Sequence, residues 1–303
     1  MAGSGAFPKV TGDLIYLADY TAIYNAVVPI LGVGSGTSGY GATPSSSALT
    51  GNPVINDAEW DNLRADINAC RTHQTGSAFT NTELPAVNAG DVVAISGINL
   101  YKTRVDTIVT NKDTVDAGQL TLVISLGGDY QTGGGWNGTI SATGRAVFAS
   151  ANDARNFFNA GGRFRVSATC TGGTSGTANT KDYAWKQAID GVNYNNVAFQ
   201  YGATQYRAGG TVTLISPVTL SGPSAGPTPN NYNPSNFRAT AQKINDTTID
   251  FSMLFNDASV RTAPAVDENV TALINAKLDY YKSTGAVVSP IPSSVTTTKS
   301  LGP

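Results

Sequence analysis

The chain has 303 residues, of which 41% are hydrophobic and only 13% charged, about half the ~25% usual in soluble globular proteins. This balance excludes intrinsic disorder, which needs low hydrophobicity with high net charge. A net charge of −2 with no run of lysine or arginine excludes a nucleic-acid partner, which would need a basic stripe to displace counterions.

The longest apolar run, Ala26 to Leu31, is far below the ~20 residues of a membrane-spanning helix, so no membrane insertion is expected. The N-terminus, MAGSGAFPKVTGD, shows no basic region followed by an apolar core, so no secretory signal is expected. Cys70 and Cys170 each fall on an apolar stripe and are expected to be buried free thiols, as in a protein folded in a reducing compartment.

The first third contains a repeat. LIYLADYTAIYNAV (Leu14 to Val27) aligns with VINDAEWDNLRADI (Val54 to Ile67), and a weaker copy starts at Val92. Tyr20, Ile23 and Val27 correspond to Trp60, Leu63 and Ile67, and to Ile98, Tyr101 and Val105. That spacing marks one face of an amphipathic helix. In the second copy Asn56 and Glu59 supply a cap, the stripe runs on to Cys70, and Gly76 lies beyond the end. Residues 1–116 therefore read as a small helical repeat domain, whose helices are stable only when packed together. Between the first two copies, Gly34 to Gly39 match GxGxxG in form. The segment follows a helix and precedes Pro44 and three serines, the wrong context for a dinucleotide site, so a flexible or partner-ordered loop is expected.

From about Gln119 the period changes to two, and residues 117–303 read as an antiparallel β-sandwich-like domain, making the whole chain α+β. Leu120, Leu122, Ile124 and Leu126 mark one strand; Ile140, Ala142, Ala146 and Phe148 mark another after the Asn137-Gly138 turn signal. In SANDARNFFNAGGRFRVSATC, Ser150 and Asp153 have capping-box spacing and Gly161 can end the helix. Phe164, Val166, Ala168 and Cys170 then alternate as a strand. A phosphate loop would place the glycines before the helix, so this element reads as a corner of the β-domain framework. A second short helix is expected from Lys181 to Ile189, capped by Thr180 and ended by Gly191. Val212 with Leu214, and Ile249 to Phe255, mark further strands. VTALINAKLDYYKST is helical by composition, yet six apolar residues from Val270 to Tyr280 alternate strictly, which predicts a strand. The first ten residues, Ser221 to Asn236, and the tail from Ser289 read as irregular.

His73 is the only histidine, and Cys70-x-x-His73 offers two metal ligands where zinc needs three or four. No nucleophilic triad and no paired-carboxylate signature is visible; Asp129, Asp153, Asp182 and Asp190 read as solvated surface acids. The expectation is no enzyme, no catalytic residue, no metal and no cofactor. A binding role is instead assigned to the tyrosine-rich loops, through Tyr194, Tyr201, Tyr206 and Tyr232, because rigid rings among asparagine and glycine suit recognition.

The N-terminal repeats, together with GSGTSGYG, WDNLRADINACRTHQTG and WNGTISATGRAVFASANDARNFFNAGGRFRVSATCTGG, resemble a family of virion structural proteins of tailed bacteriophages, familiar from cyanophages. The resemblance covers most of the chain, and FFNAGG with its following strand is the most specific part. It implies a particle component, such as a tail fibre, baseplate or neck protein, assembled in the host cytoplasm and found in the virion. Its partners would be copies of itself, with a trimer suiting a fibre, and other virion proteins. The alternative is a receptor- or glycan-binding adhesin that uses the tyrosine loops on a host surface glycan. A depolymerase would need two carboxylates roughly 5–9 Å apart in a groove and ranks last.

Overall fold

In the computed structural model, the structure describes residues 7–51, 54–91, 93–130, 135–178, 180–200, 210–220, 232, 235–258, 269–284, 287 and 290–301. The fold is α+β. Three helices, α1 (Leu17–Leu31), α2 (Asp57–Thr75) and α3 (Ile95–Thr110), precede the sheets, and α4 (Ala151–Asn159) and α5 (Lys181–Asp190) are placed between strands. The chain divides into two compact units. A helical unit comprises 1–121, 151–162 and 282–291, and a β-unit comprises 122–150, 163–281 and 292–303. The helical unit thus extends beyond the expected boundary at 116 and takes in α4, the helix expected to serve the β-domain.

The repeat of the sequence becomes the core of the helical unit. Tyr20, Trp60 and Ile98 are all buried, as are Ile23, Leu63 and Tyr101, then Val27, Ile67 and Val105. The Trp60 ring stands edge-on to Tyr20 and to Tyr101, with centroids 5.4 Å apart in each case, a favoured geometry for aromatic pairs. α2 begins at Asn56, whose side chain accepts from the amides of Ala58 and Glu59, while Glu59 accepts from the amide of Asn56. It ends at Gly76, in the left-handed conformation.

The GSGTSGYG segment is ordered by this chain itself. The amides of Tyr40, Gly41 and Ala42 donate back to the carbonyls of Ile30, Gly32 and Leu31. Arg155 donates to the carbonyls of Val33 and Gly34, at 2.7 and 3.0 Å. Gly39, at φ +114°, could carry no side chain, because a Cβ there would lie 1.9 Å from the Val33 carbonyl oxygen. These glycines close a helix terminus, and the expectation of a flexible or partner-ordered loop is corrected.

α4 ends as its sequence implies. The amide of Gly161 donates to Phe158 and that of Gly162 to Phe157, the paired closure of a Schellman turn, with Gly161 at φ +85°. A Cβ on Gly161 would lie 2.4 Å from Val115, so the second glycine-specific demand is steric.

The β-unit holds two antiparallel sheets packed as a sandwich. One has the order β1-β8-β3-β4, formed by β1 (Leu120–Tyr130), β8 (Leu273–Ser283), β3 (Arg163–Thr171) and β4 (Ala198–Gln200). The other runs β5-β6-β7-β2-β9, formed by β5 (Gly210–Thr219), β6 (Asn236–Asn245), β7 (Thr248–Asp257), β2 (Gly138–Val147) and β9 (Ser294–Leu301). The ambiguous segment is a strand: in β8, Ile274, Ala276, Leu278 and Tyr280 are buried and Cα-paired across β3 with Cys170, Ala168, Val166 and Phe164. Phe164 of one sheet meets Phe251 of the other at 5.1 Å. Gly144 in β2 makes room for Leu278, whose Cδ2 would sit 2.6 Å from an added Cβ. In β1, by contrast, Leu122 and Ile124 remain exposed.

Two buried charge pairs support these cores. Lys9 and Asp19 meet at 2.8 Å in the helical unit, and Lys181 and Asp257 at 2.6 Å in the β-unit, all four side chains at most 1% exposed. Ser235 Oγ adds a hydrogen bond to Asp257 at 2.9 Å.

Truncating Trp60 to alanine is expected to cost about 3–5 kcal/mol, because it empties the shared layer of all three helices. Replacing Gly161 by alanine is expected to cost more than about 1 kcal/mol through its positive φ and the Val115 contact. Urea titrations followed by circular dichroism would measure both, and a change within about 0.5 kcal/mol for either would contradict the assignment.

Candidate binding surface

Alternation along the five-stranded sheet sends Ile249, Phe251, Met253 and Phe255 of β7 inward, so Asp250, Ser252, Leu254 and Asn256 face out. The pairing registers carry this outward set across the sheet. Thr213 of β5 is opposite Thr240 of β6, which is opposite Ser252 of β7, then Thr143 of β2, then Thr298 of β9. One step along the strands, Thr211, Gln242, Asp250, Arg145 and Thr296 form a second row. Adjacent strands lie about 4.8 Å apart, so the two rows make a regular array of hydroxyl, amide and charged groups.

Arg145 and Asp250 close a bidentate pair on this face: Nε donates to Oδ1 at 2.6 Å and Nη2 to Oδ2 at 2.7 Å. Asp250 holds the guanidinium of Arg145 above its ordinary pKa, through its hydrogen bonds and then its charge. The two rows border a cleft of about 450 Å³ with Phe251 in its lining. A neighbouring cleft of about 340 Å³ adds Ile215, Pro217, Arg238 and Leu254, and shares Thr240 and Ser252 with the first. Both volumes are in the range of ligand sites.

Of the tyrosines singled out by sequence, the two within the described residues are not exposed. Tyr232 is 2% exposed, so its ring is part of the interior. Tyr194 is half-buried and its hydroxyl donates to the Ile189 carbonyl at 3.1 Å, with burial raising its pKa. Tyr201 and Tyr206 lie outside the described residues. The sheet-face cleft was missed by sequence reasoning. Its only signal was the polar half of the strand alternation, which carries no order until register is known.

The remaining chemical groups are mostly locked into the fold. Asp182, read as a surface acid, is 2% exposed and accepts from the amides of Thr174, Thr271 and Ala272 and the hydroxyls of Thr174 and Thr271. It is desolvated by burial, yet these hydrogen bonds together hold its pKa below the ordinary carboxylate value. Asp66 is likewise buried and accepts from the amides of Ser45 and Ser46 and from the Ser46 hydroxyl. Cys70 and Cys170 are buried free thiols; burial pushes both pKa values up, that of Cys170 to about 12, so neither is an activated nucleophile. Among the described residues no group of three or more His, Cys, Asp and Glu side chains is arranged to hold a metal ion. No helix among them is long and apolar enough to cross a membrane. No protein-family model, curated protein or solved structure matches the chain.

His73 is fully buried in the helical unit, its ring centroid 4.3 Å from that of Tyr40 and its Nδ1 3.2 Å from Ser283 Oγ. Burial lowers its pKa from 6.5 to about 4, opposed in part by the Ala160 carbonyl. The folded chain therefore holds the neutral ring while the unfolded chain binds a proton at the ordinary pKa. The stabilisation is complete above about pH 6.5 and is lost as pH falls toward 4. Denaturation midpoints are expected to fall between pH 6.5 and roughly pH 5, above the carboxylate range, and His73→Gln should flatten that slope. An identical slope in both proteins would contradict the assignment.

Proposed function

We propose that this chain is a non-enzymatic structural component of a tailed-phage virion, most simply a tail fibre, baseplate or neck appendage assembled as a homo-oligomer. The observation that supports this reading most directly is where the segments carrying the resemblance fall. The repeat stripes are the helical core, GSGTSGYG is the helix-closing loop, and FFNAGG is the α4 turn. The likeness therefore rests on framework-building residues, as suits a protein whose role is its shape. The thiols, the histidine and Asp182 are held in structural contacts, which is consistent with a non-catalytic role.

Mass spectrometry of density-purified particles tests the assignment. Peptides of this chain should co-sediment with intact virions, whereas recovery only from the particle-free lysate would overturn it. Light scattering on the full chain should give a stable multimer for a fibre-like appendage. A fragment cut at 116 is a poor test, because it removes 151–162 and 282–291 from the helical unit.

A further inference from the structure

We propose that the outward face of the five-stranded sheet is a binding site for an extended neutral polysaccharide, centred on the Arg145–Asp250 pair and the hydroxyl row through Ser252. Three features converge on that ligand. First, the two clefts, about 450 and 340 Å³, share Thr240 and Ser252 and so form one continuous run across the strands. A run of that kind fits a chain of sugar rings better than a single small molecule. Second, the array offers both donors and acceptors at regular intervals of about 4.8 Å, and a pyranose carries its hydroxyls in the same mixed character.

Third, the charge is balanced where the groups are densest. Arg145 is neutralised by Asp250 at 2.6 and 2.7 Å, so the first cleft offers no net positive field for a phosphate or sulfate polymer, and Arg238 is the single charged residue lining the second. The pair is also exposed, with side chains 56% and 32% accessible, so its lone pairs and remaining N–H groups stay open to a ligand. Planar guanidinium and carboxylate groups bind adjacent sugar hydroxyls through charge-assisted hydrogen bonds. Pro217 and Leu254 line the second cleft and supply apolar surface for the C–H face of a ring. The inference does not rest on the virion reading. It assigns recognition to the sheet face instead of to the tyrosine loops.

Affinity electrophoresis of the full chain through gels containing dextran, galactomannan or laminarin, with heparin as the anionic comparison, tests the site. At least one neutral polysaccharide should retard the protein. Arg145→Ala and Ser252→Phe should each weaken that binding about tenfold or more, and Lys186→Ala, on α5, should leave it unchanged. Both target positions face solvent, and melting curves for each variant would show whether the fold is kept. Ser252→Phe fills the cleft without changing charge, so it reports occupancy apart from electrostatics.

Retardation by none of the three neutral polymers, retardation by heparin alone, or binding that both variants leave intact would each overturn the proposal. So would a multimer that Ser252→Phe converts to monomer, because the face would then be covered by a second copy. A chain that co-sediments with virions yet ignores every neutral polymer sinks this inference alone and leaves the structural role standing.

Discussion

Phe251 is the residue on which the β-unit turns. Its ring packs against Phe164 at 5.1 Å and Phe199 at 6.0 Å, both from the opposite sheet. A one-residue slip of β7 would drive Phe251 to solvent and bring Ser252 inward, so burial of this ring pins the register. Everything on the outer face follows from that. With Phe251 inside, Asp250 and Ser252 face out, where Asp250 stands opposite Arg145 and Ser252 between Thr240 and Thr143. The polar array is therefore a consequence of core packing, with the three inner strands β6, β7 and β2 paired on both sides.

The helical unit rests on a different economy of residues. Equivalent positions of three repeats are buried together, and one tryptophan touches aromatic partners from both other helices. With few charges available, the connecting segments are secured by buried acids acting as acceptors. Asp66 ties down the serines after the glycine-rich loop, and in the β-unit Asp182 does the same for the backbone around Thr174 and Thr271. A carboxylate can accept several hydrogen bonds at once, so one such residue fixes a turn that would otherwise leave amides unpaired. The low charge of the sequence is in this sense concentrated: acids and lysines are placed inside, as in Lys9–Asp19 and Lys181–Asp257. A buried pair of this kind is sensitive to loss of either member, since the survivor would remain desolvated and unpaired.

The two proposals concern separate properties of the same molecule. The structural role is proposed from the framework segments of the fold. The polysaccharide site draws on one solvent-facing surface that the framework holds in place. A strand face suits such a task because its side chains are spaced by the backbone and need little ordering on binding.

Local patterns were enough to establish the α+β class, the helices of the repeat, the α4 closure at Gly161 and the strand from Leu273 to Ser283. Each depends on periodicity or capping within a few residues, and burial then selects the state whose period matches, even against the helical composition of VTALINAKLDYYKST. Tertiary structure alone decided the rest. Which polar residues share a row depends on strand order, and β2 pairs with strands more than a hundred residues away. Asp182 looked like a surface acid because its acceptors' partners at Thr271 and Ala272 are distant in sequence, and Tyr232 looked available because burial is set by what packs over it. Periodicity reports which side of an element is apolar; only the assembled fold brings the opposite sides together into a surface.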